Sequence, residues 1–177
     1  MLILRHYQLR AAAEIIKNGG VIVYPTDTVW GLGCAALDPA AVTKLRALKH
    51  KPADAPLIWL LPSVAAVSKF CGAITPREKQ LLRSKHTTVL IHGQAVRVIR
   101  SGWLNKLLTA CGGPLVSTSA NRHGQPVVSS WRQAVTALSD ADAVIRGRKI
   151  YAALPSSLVA VAADGTVQVL RAGAGYH

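Results

Sequence analysis

Three stretches of the chain carry the side chains that could do chemistry. In the first, Tyr24-Pro25-Thr26-Asp27-Thr28-Val29-Trp30-Gly31-Leu32-Gly33, two hydroxyls and a carboxylate share a turn beside glycines, directly after the apolar run Val21 to Tyr24. In the second, Leu48-Lys49-His50-Lys51-Pro52-Ala53-Asp54-Ala55-Pro56-Leu57, two lysines precede a proline-bounded loop. The third, Pro114-Leu115-Val116-Ser117-Thr118-Ser119-Ala120-Asn121, starts as a buried strand and ends in hydroxyls and an amide. Such groups beyond strand ends are what a polar ligand needs for orientation, and that crevice is the usual ligand site of an open α/β sheet. Lysines next to it would neutralise phosphate. Each stretch also has a plain structural explanation. Thr26 and Asp27 could cap a turn, Lys49 and Lys51 could complement a helix C-terminus, and the Ser-Thr-Ser run could satisfy its own backbone. Taken one at a time, the stretches leave both explanations open.

The elements that must position them follow from the hydrophobic spacing. Leu9, Ala12, Ala13 and Ile16 predict a helix over 8–17, closed by Asn18-Gly19-Gly20. Val21 to Tyr24 reads as a strand. Asp38 before Pro39 predicts a capped helix to about Lys49, burying Val42, Leu45 and Leu48. Leu57 to Leu61 reads as a strand. Thr75-Pro76-Arg77-Glu78 is a capping box, predicting a helix over 76–85. Thr87 to His92 and Ala95 to Arg100 are strands joined by a tight His92-Gly93-Gln94 turn. Ser101 could cap a helix running to Ala110 with Gly112 as its stop, and Ser129 or Ser130 a helix to Leu138. Val159 to Val161 and Val167 to Leu170 flank Asp164-Gly165, a hairpin signal. Hairpins together with helical crossovers imply a single α/β domain with a mixed sheet over residues 1–177.

Composition narrows the function classes. The chain has 177 residues, half of them hydrophobic, enough for a sizeable core. With 21 Lys and Arg against 8 Asp and Glu, the net charge is +13. Such a field attracts nucleotides or nucleic acid. The apolar stretch from Leu57 to Val67 is broken by Pro62-Ser63 and is too short to span a bilayer. Met1 to Arg10 lacks the layout of a signal peptide. Cys34, Cys71 and Cys111 form no CxxC pair, which fits small buried residues in a reducing cytoplasm. P-loop, GxGxxG and GxSxG patterns are missing, as is metal-ligand spacing. His50, His92 and His123 are scattered.

Together the three stretches resemble the TsaC/YrdC family of threonylcarbamoyl-AMP synthases. YPTDTVWGLG resembles its N-terminal signature, KHKPADAPL its KxRPxxxPL element, and PLVSTSANRHGQP its SxN element, here Ser119-Ala120-Asn121. Ala95-Val96-Arg97-Val98 looks like the VRV strand, Pro155-Ser156-Ser157-Leu158-Val159 like the PST strand, and Leu170-Arg171-Ala172-Gly173 like the terminal LRxG. The matches keep family order from residue 21 to 173.

The resemblance implies a twisted mixed sheet flanked by helices, with a deep basic concave face. It implies a nucleotidyl-transfer reaction in which L-threonine, bicarbonate and ATP, with Mg²⁺, give threonylcarbamoyl-adenylate and pyrophosphate. Partner proteins then transfer the threonylcarbamoyl group to tRNA. Thr28 and Ser117 would hold threonine, with Ser156 or Ser157 at its end of the pocket. Lys49, Lys51, Ser119 and Asn121 would be the catalytic set around the nucleotide phosphates. Arg171 would face the nucleotide, and Arg97 is a further basic candidate. The chain departs from the family at Lys51, where arginine is usual, at Ala55 and at Val127. It also lacks the WPGPxT turn ahead of the central hairpin, a part of the nucleotide pocket. These departures, with the net charge, define an alternative: a noncatalytic RNA-binding or accessory relative.

Overall fold

The computed structural model describes residues 1–50, 57–147 and 154–176. After β1 (Leu2–Arg5), α1 (Leu9–Lys17) buries Ala12, Ala13 and Ile16, the face its spacing predicts. β2 (Ile22–Pro25) and β3 (Trp30–Ala35) form a hairpin with Pro25 opposite Trp30, so Thr26 to Val29 is its loop. α2 (Pro39–Lys49) begins where Asp38 accepts from the Ala40 and Ala41 N–H groups at 3.0 and 3.1 Å. It ends at His50, whose left-handed backbone (φ 51°) cannot continue a helix.

β4 (Ile58–Leu61) and α3 (Val64–Cys71) divide the apolar stretch that the sequence presents as one. Ser63 makes the division by accepting from the Ala66 N–H at 3.1 Å. α4 (Pro76–Leu82) carries the predicted capping box between Thr75 and Glu78. It stops three residues short of the predicted Lys85, because the chain swings into the next strand through His86 at φ 53°. β5 (Thr87–Ile91) and β6 (Gln94–Val98) meet at a two-residue turn, His92 (φ 46°) and Gly93 (φ 85°), which fits the hairpin twist. Gln94 is already paired with Ile91 rather than in the turn.

α5 (Gly102–Cys111) ends at the predicted Gly112, although Ser101 makes no capping bond from its side chain. β7 (Leu115–Ser119), α6 (Trp131–Ala137, capped by Ser130), β8 (Ala143–Arg146), β9 (Ser157–Val161) and β10 (Val167–Arg171) complete the described elements. No helix among the described residues is long and apolar enough to cross a membrane.

The ten strands form one mixed sheet in the order β1-β8-β2-β3-β7-β4-β6-β5-β9-β10. Helices cover both faces. α2 and α6 pack with Val23, Leu32 and Val116 on one face, where α3 and α4 continue the layer over Val89, Val96 and Val159. α1 and α5 pack on the other face, over Ile22, Tyr24, Leu60, Leu115 and Ile145. Beyond the reach of α1 and α5 that second face stays open across the ends of β3, β7, β6 and β9. The candidate site lies in this opening.

Candidate active site

Strand alternation decides which side chains reach the opening. On β7, Leu115 packs under α1 and α5, so Ser117 and Ser119 point the same way and enter the cleft, while Val116 goes to the opposite core. On β6, Ala95 and Arg97 face the cleft, and Val96 and Val98 the core behind it. The cavity so formed is about 430 Å³, with an apolar floor from Ile58, Leu60, Ala95, Ile99 and Leu158. Thr28, Ser117, Ser119, Ser156, Arg97 and Arg171 supply its polar wall.

The glycines of Gly31-Leu32-Gly33 are needed for close approach. Tyr24 lies across both of them. A Cβ on Gly31 would sit 2.9 Å from the Tyr24 ring, and one on Gly33 2.6 Å from its hydroxyl. The Tyr24 hydroxyl donates to Ser117 Oγ at 2.8 Å in full burial. The segment read as a glycine-flanked turn is therefore a strand from Trp30 onward.

Thr26 does organise the turn. Its hydroxyl donates to the Val29 carbonyl at 2.5 Å and accepts from the Thr28 and Val29 N–H groups at 3.1 Å. Asp27 does something else. Both its oxygens accept from Arg97 Nη2, at 2.8 and 2.7 Å, and His86 Nδ1 lies 3.3 Å from Oδ2. Arg97 Nη1 reaches Thr28 Oγ1 at 3.3 Å. The Arg97 side chain is only 8% exposed. Burial pulls its pKa down, and the charge of Asp27 and its hydrogen bonds oppose that shift.

Lys49 and the Ser-Ala-Asn turn form one unit. Lys49 is buried, and its Nζ donates to the Ser119 carbonyl at 2.5 Å, the Asn121 carbonyl at 2.8 Å and Asn121 Oδ1 at 2.9 Å. Ser119 Oγ donates to the same Oδ1 at 2.6 Å, and Asn121 Nδ2 donates to the Gln125 carbonyl at 2.6 Å. The ammonium thus holds the polar end of β7 against the end of α2. Next to it His50 Nε2 lies 2.6 Å from Arg122 Nη1. Lys51 and Ala55 lie outside the described residues.

Arg171 reaches the cleft through a register shift. Val169 pairs with Val159 on the core side, yet Arg171 pairs with Leu158, which faces the cleft. The extra residue, Leu170, turns the arginine round, as β-bulges do. Its Nη2 donates to the Ser156 carbonyl at 2.9 Å. Of the two candidate serines, Ser156 lines the cleft and shares a 2.7 Å hydrogen bond with Thr88. Ser157 points to the other face, where it is fully buried and accepts from the Gly175 N–H at 3.2 Å. Alternation along β9 allows only one of the pair into the opening.

A larger cavity of about 1190 Å³ adjoins the first, with Thr26, Arg97 and Ile99 common to both. Arg83, Lys85, Arg100 and Arg146 add cations to Arg97 here, and Asp27 is the one carboxylate among the described lining residues. The guanidinium carbons of Arg132 and Arg146 lie over the Trp131 ring, 4.6 and 4.7 Å from its centroid. Sequence reasoning singled out neither this cavity nor the Tyr24–Ser117 and Asp27–Arg97 pairs. The signals were a Tyr two residues before the hairpin loop and, in Asp27, the one carboxylate of residues 24–33 in a cation-rich chain.

A mixed sheet opening onto a cleft with a hydroxyl and arginine wall defines an α/β protein suited to holding a small polar molecule beside an anion. The family profile for Sua5, YciO and YrdC, described as telomere recombination, matches residues 14–173, and the chain belongs to this family. The threonylcarbamoyl-AMP synthase of Alkalilimnicola ehrlichii is 37% identical over 147 residues, covering 75% of this chain and 77% of that protein. That of Chromohalobacter salexigens is 33% identical over 169 residues, covering 83% and 89%. The structure of P. abyssi Sua5 complexed with L-threonine aligns at a TM-score of 0.85 and 25% identity, over 97% of this chain. The chain spans 57% of that longer protein. E. coli YciO shares the fold at a TM-score of 0.81 and 22% identity, over 99% of this chain and 96% of its own.

Proposed function

We propose that this protein is a threonylcarbamoyl-AMP synthase, a nucleotidyltransferase using L-threonine, bicarbonate and ATP. The observation that carries the proposal is the small cleft. The residues shared in pattern with the synthases, from Thr28, Ser117, Ser119, Ser156 and Arg171, converge on one cavity of amino-acid size. Its apolar floor suits the threonine methyl, and its hydroxyl and arginine wall suits the carboxylate.

The chemistry fits such a wall. The threonine amine adds to bicarbonate with loss of water, giving a carbamate. A carbamate oxygen then attacks the α-phosphorus of ATP, and pyrophosphate leaves with the electron pair of the broken P–O bond. Both steps gather negative charge and need positioning and neutralisation more than a proton-transfer pair. Arg97 on β6 and Arg171 on β10 would supply positive charge to the cleft. Ser119 and Asn121, held by Lys49, and Lys51 would face the phosphates. Mg²⁺ has no cage of its own among the described lining residues, because Asp27 is their one carboxylate and both its oxygens are on Arg97. The ion would arrive on the phosphates of ATP. The adenylate would pass to tRNA-modification partner proteins in the cytoplasm.

The test is release of pyrophosphate from ATP by folded protein with bicarbonate and Mg²⁺. Release that rises and saturates with L-threonine is expected. Release that ignores threonine would sink the proposal.

The large cationic cavity with Trp131 favours a second property, binding of RNA, which the accessory alternative would use without catalysis. RNA affinity is then expected to fall linearly in log–log against salt, with a slope near −0.7 per neutralised phosphate of a single strand. A salt-independent affinity, measured by fluorescence anisotropy, would rule this use of the cavity out.

A further inference from the structure

The Ser117 hydroxyl makes a single hydrogen bond among the described residues, the one from Tyr24. A hydroxyl has one hydrogen to give and two lone pairs to offer. Which of these Ser117 presents to the cleft depends on what it does with Tyr24. The phenol is fully buried, so water cannot take over its hydrogen bond. A phenol is also the more acidic partner, so it donates and the serine accepts. Burial raises the Tyr24 pKa further, and the phenol keeps its hydrogen at every ordinary pH. The ring cannot swing away to change roles, because it is packed onto Gly31 and Gly33 below α1 and α5. The hydrogen of Ser117 has no acceptor in the described protein, and the residue lines the cleft.

We propose that Tyr24 is a positioning residue that fixes Ser117 as a hydrogen-bond donor into the cleft, so that the Ser117 hydrogen reads an oxygen of the substrate carboxylate. The assignment rests on the synthase function proposed above. It agrees with the rest of that wall, where Arg97 Nη1 is a second donor beside Thr28. A wall of donors recognises a carboxylate. Tyr24 and Arg97 each take up one lone pair on Ser117 and Thr28, whereas the Ser117 hydrogen is unspent and needs an acceptor such as a carboxylate oxygen.

The test is a double-mutant cycle with Tyr24→Phe and Ser117→Ala. Phenylalanine keeps the ring on the two glycines, so the fold is retained and the melting temperature checks it. Losing one orienting hydrogen bond is worth about 1 kcal/mol, so KM and calorimetric Kd for L-threonine should rise about five-fold in Tyr24→Phe. KM for ATP and kcat should stay within about two-fold, since uniform binding of one substrate is what was lost. In the Ser117→Ala background the Tyr24 substitution should add nothing. Competition by L-threoninol, which lacks the carboxylate, should be the same in wild type and Tyr24→Phe. An equal loss in the Ser117→Ala background, an unchanged KM for threonine, or a parallel loss for threoninol would each overturn the assignment. Wild-type protein that binds no threonine would instead overturn the proposed function, a result distinct from all of these.

Discussion

Replacing Lys49 with methionine should lower threonine-dependent pyrophosphate release by about two to three orders of magnitude and destabilise the fold by about 2–4 kcal/mol. Both effects have one origin. The buried ammonium donates to the Ser119 and Asn121 carbonyls and to Asn121 Oδ1. Methionine matches the stem in volume but leaves those acceptors without their charged donor. A buried acceptor that loses its partner carries its desolvation penalty, and losing a charged donor is at the upper end of that range. The His123 N–H to Lys49 carbonyl bond, 2.8 Å, uses only backbone and survives. The turn should therefore loosen rather than detach. Ser119 Oγ also donates to Asn121 Oδ1, so its direction in the cleft depends on the same amide. Urea unfolding and the pyrophosphate assay on one preparation check both effects. Full activity, or a drop in activity at unchanged stability, would show that Lys49 does not hold the wall.

The double role of Lys49 explains part of what the sequence could and could not disclose. A lysine at a helix end beside a loop can be read as a dipole partner or a phosphate ligand, since both are local readings. Its attachment to Ser119, seventy positions later, is set by strand order, which no local pattern encodes. Helix starts were legible for the opposite reason. Asp38-Pro39 and Thr75-Pro76-Arg77-Glu78 carry their capping bonds within four residues, and both bonds form as expected.

The strands split along the same line. β5 and β6 announce themselves by two apolar runs around a tight turn, which the structure shortens from His92-Gly93-Gln94 to His92-Gly93. β1 and β8 escaped because each is four residues long and pairs in parallel with a distant partner. β3 escaped because its glycines read as a turn until the Tyr24 ring is seen to cover them. In the site, motif resemblance picked out Thr28, Ser117, Ser119, Ser156 and Arg171, which line one cavity in the structure, but it could not choose between Ser156 and Ser157. That choice belongs to the two-residue period of β9. Nor could it foresee the bulge at Leu170 without which Arg171 would share the face of Val169.

Arg97→Met should lower kcat/KM for threonine by about 30-fold, the lower end of the range for truncating one partner of a hydrogen-bonded charge pair, because Asp27 is half exposed. Arg97 sits where the two cavities meet, with Nη2 on Asp27 and Nη1 toward Thr28. Asp27 offsets part of the arginine's cost of burial before any substrate enters, and burial still holds the Arg97 pKa below the ordinary value. An incoming carboxylate on the remaining donors would offset more of that cost, which favours its binding there. Methionine removes that charge and leaves Asp27, half exposed, as the carboxylate nearest the cleft. Repulsion of the substrate then adds to the lost attraction. Lysine should rescue little. Its single ammonium can stay with Asp27 or turn to Thr28, but it lacks the planar fork that spans both. KM for threonine measured at saturating ATP, with KM for ATP as the control, checks the prediction. A lysine variant close to wild type would mean that charge alone is needed at this position, and that the span between the two cavities is not.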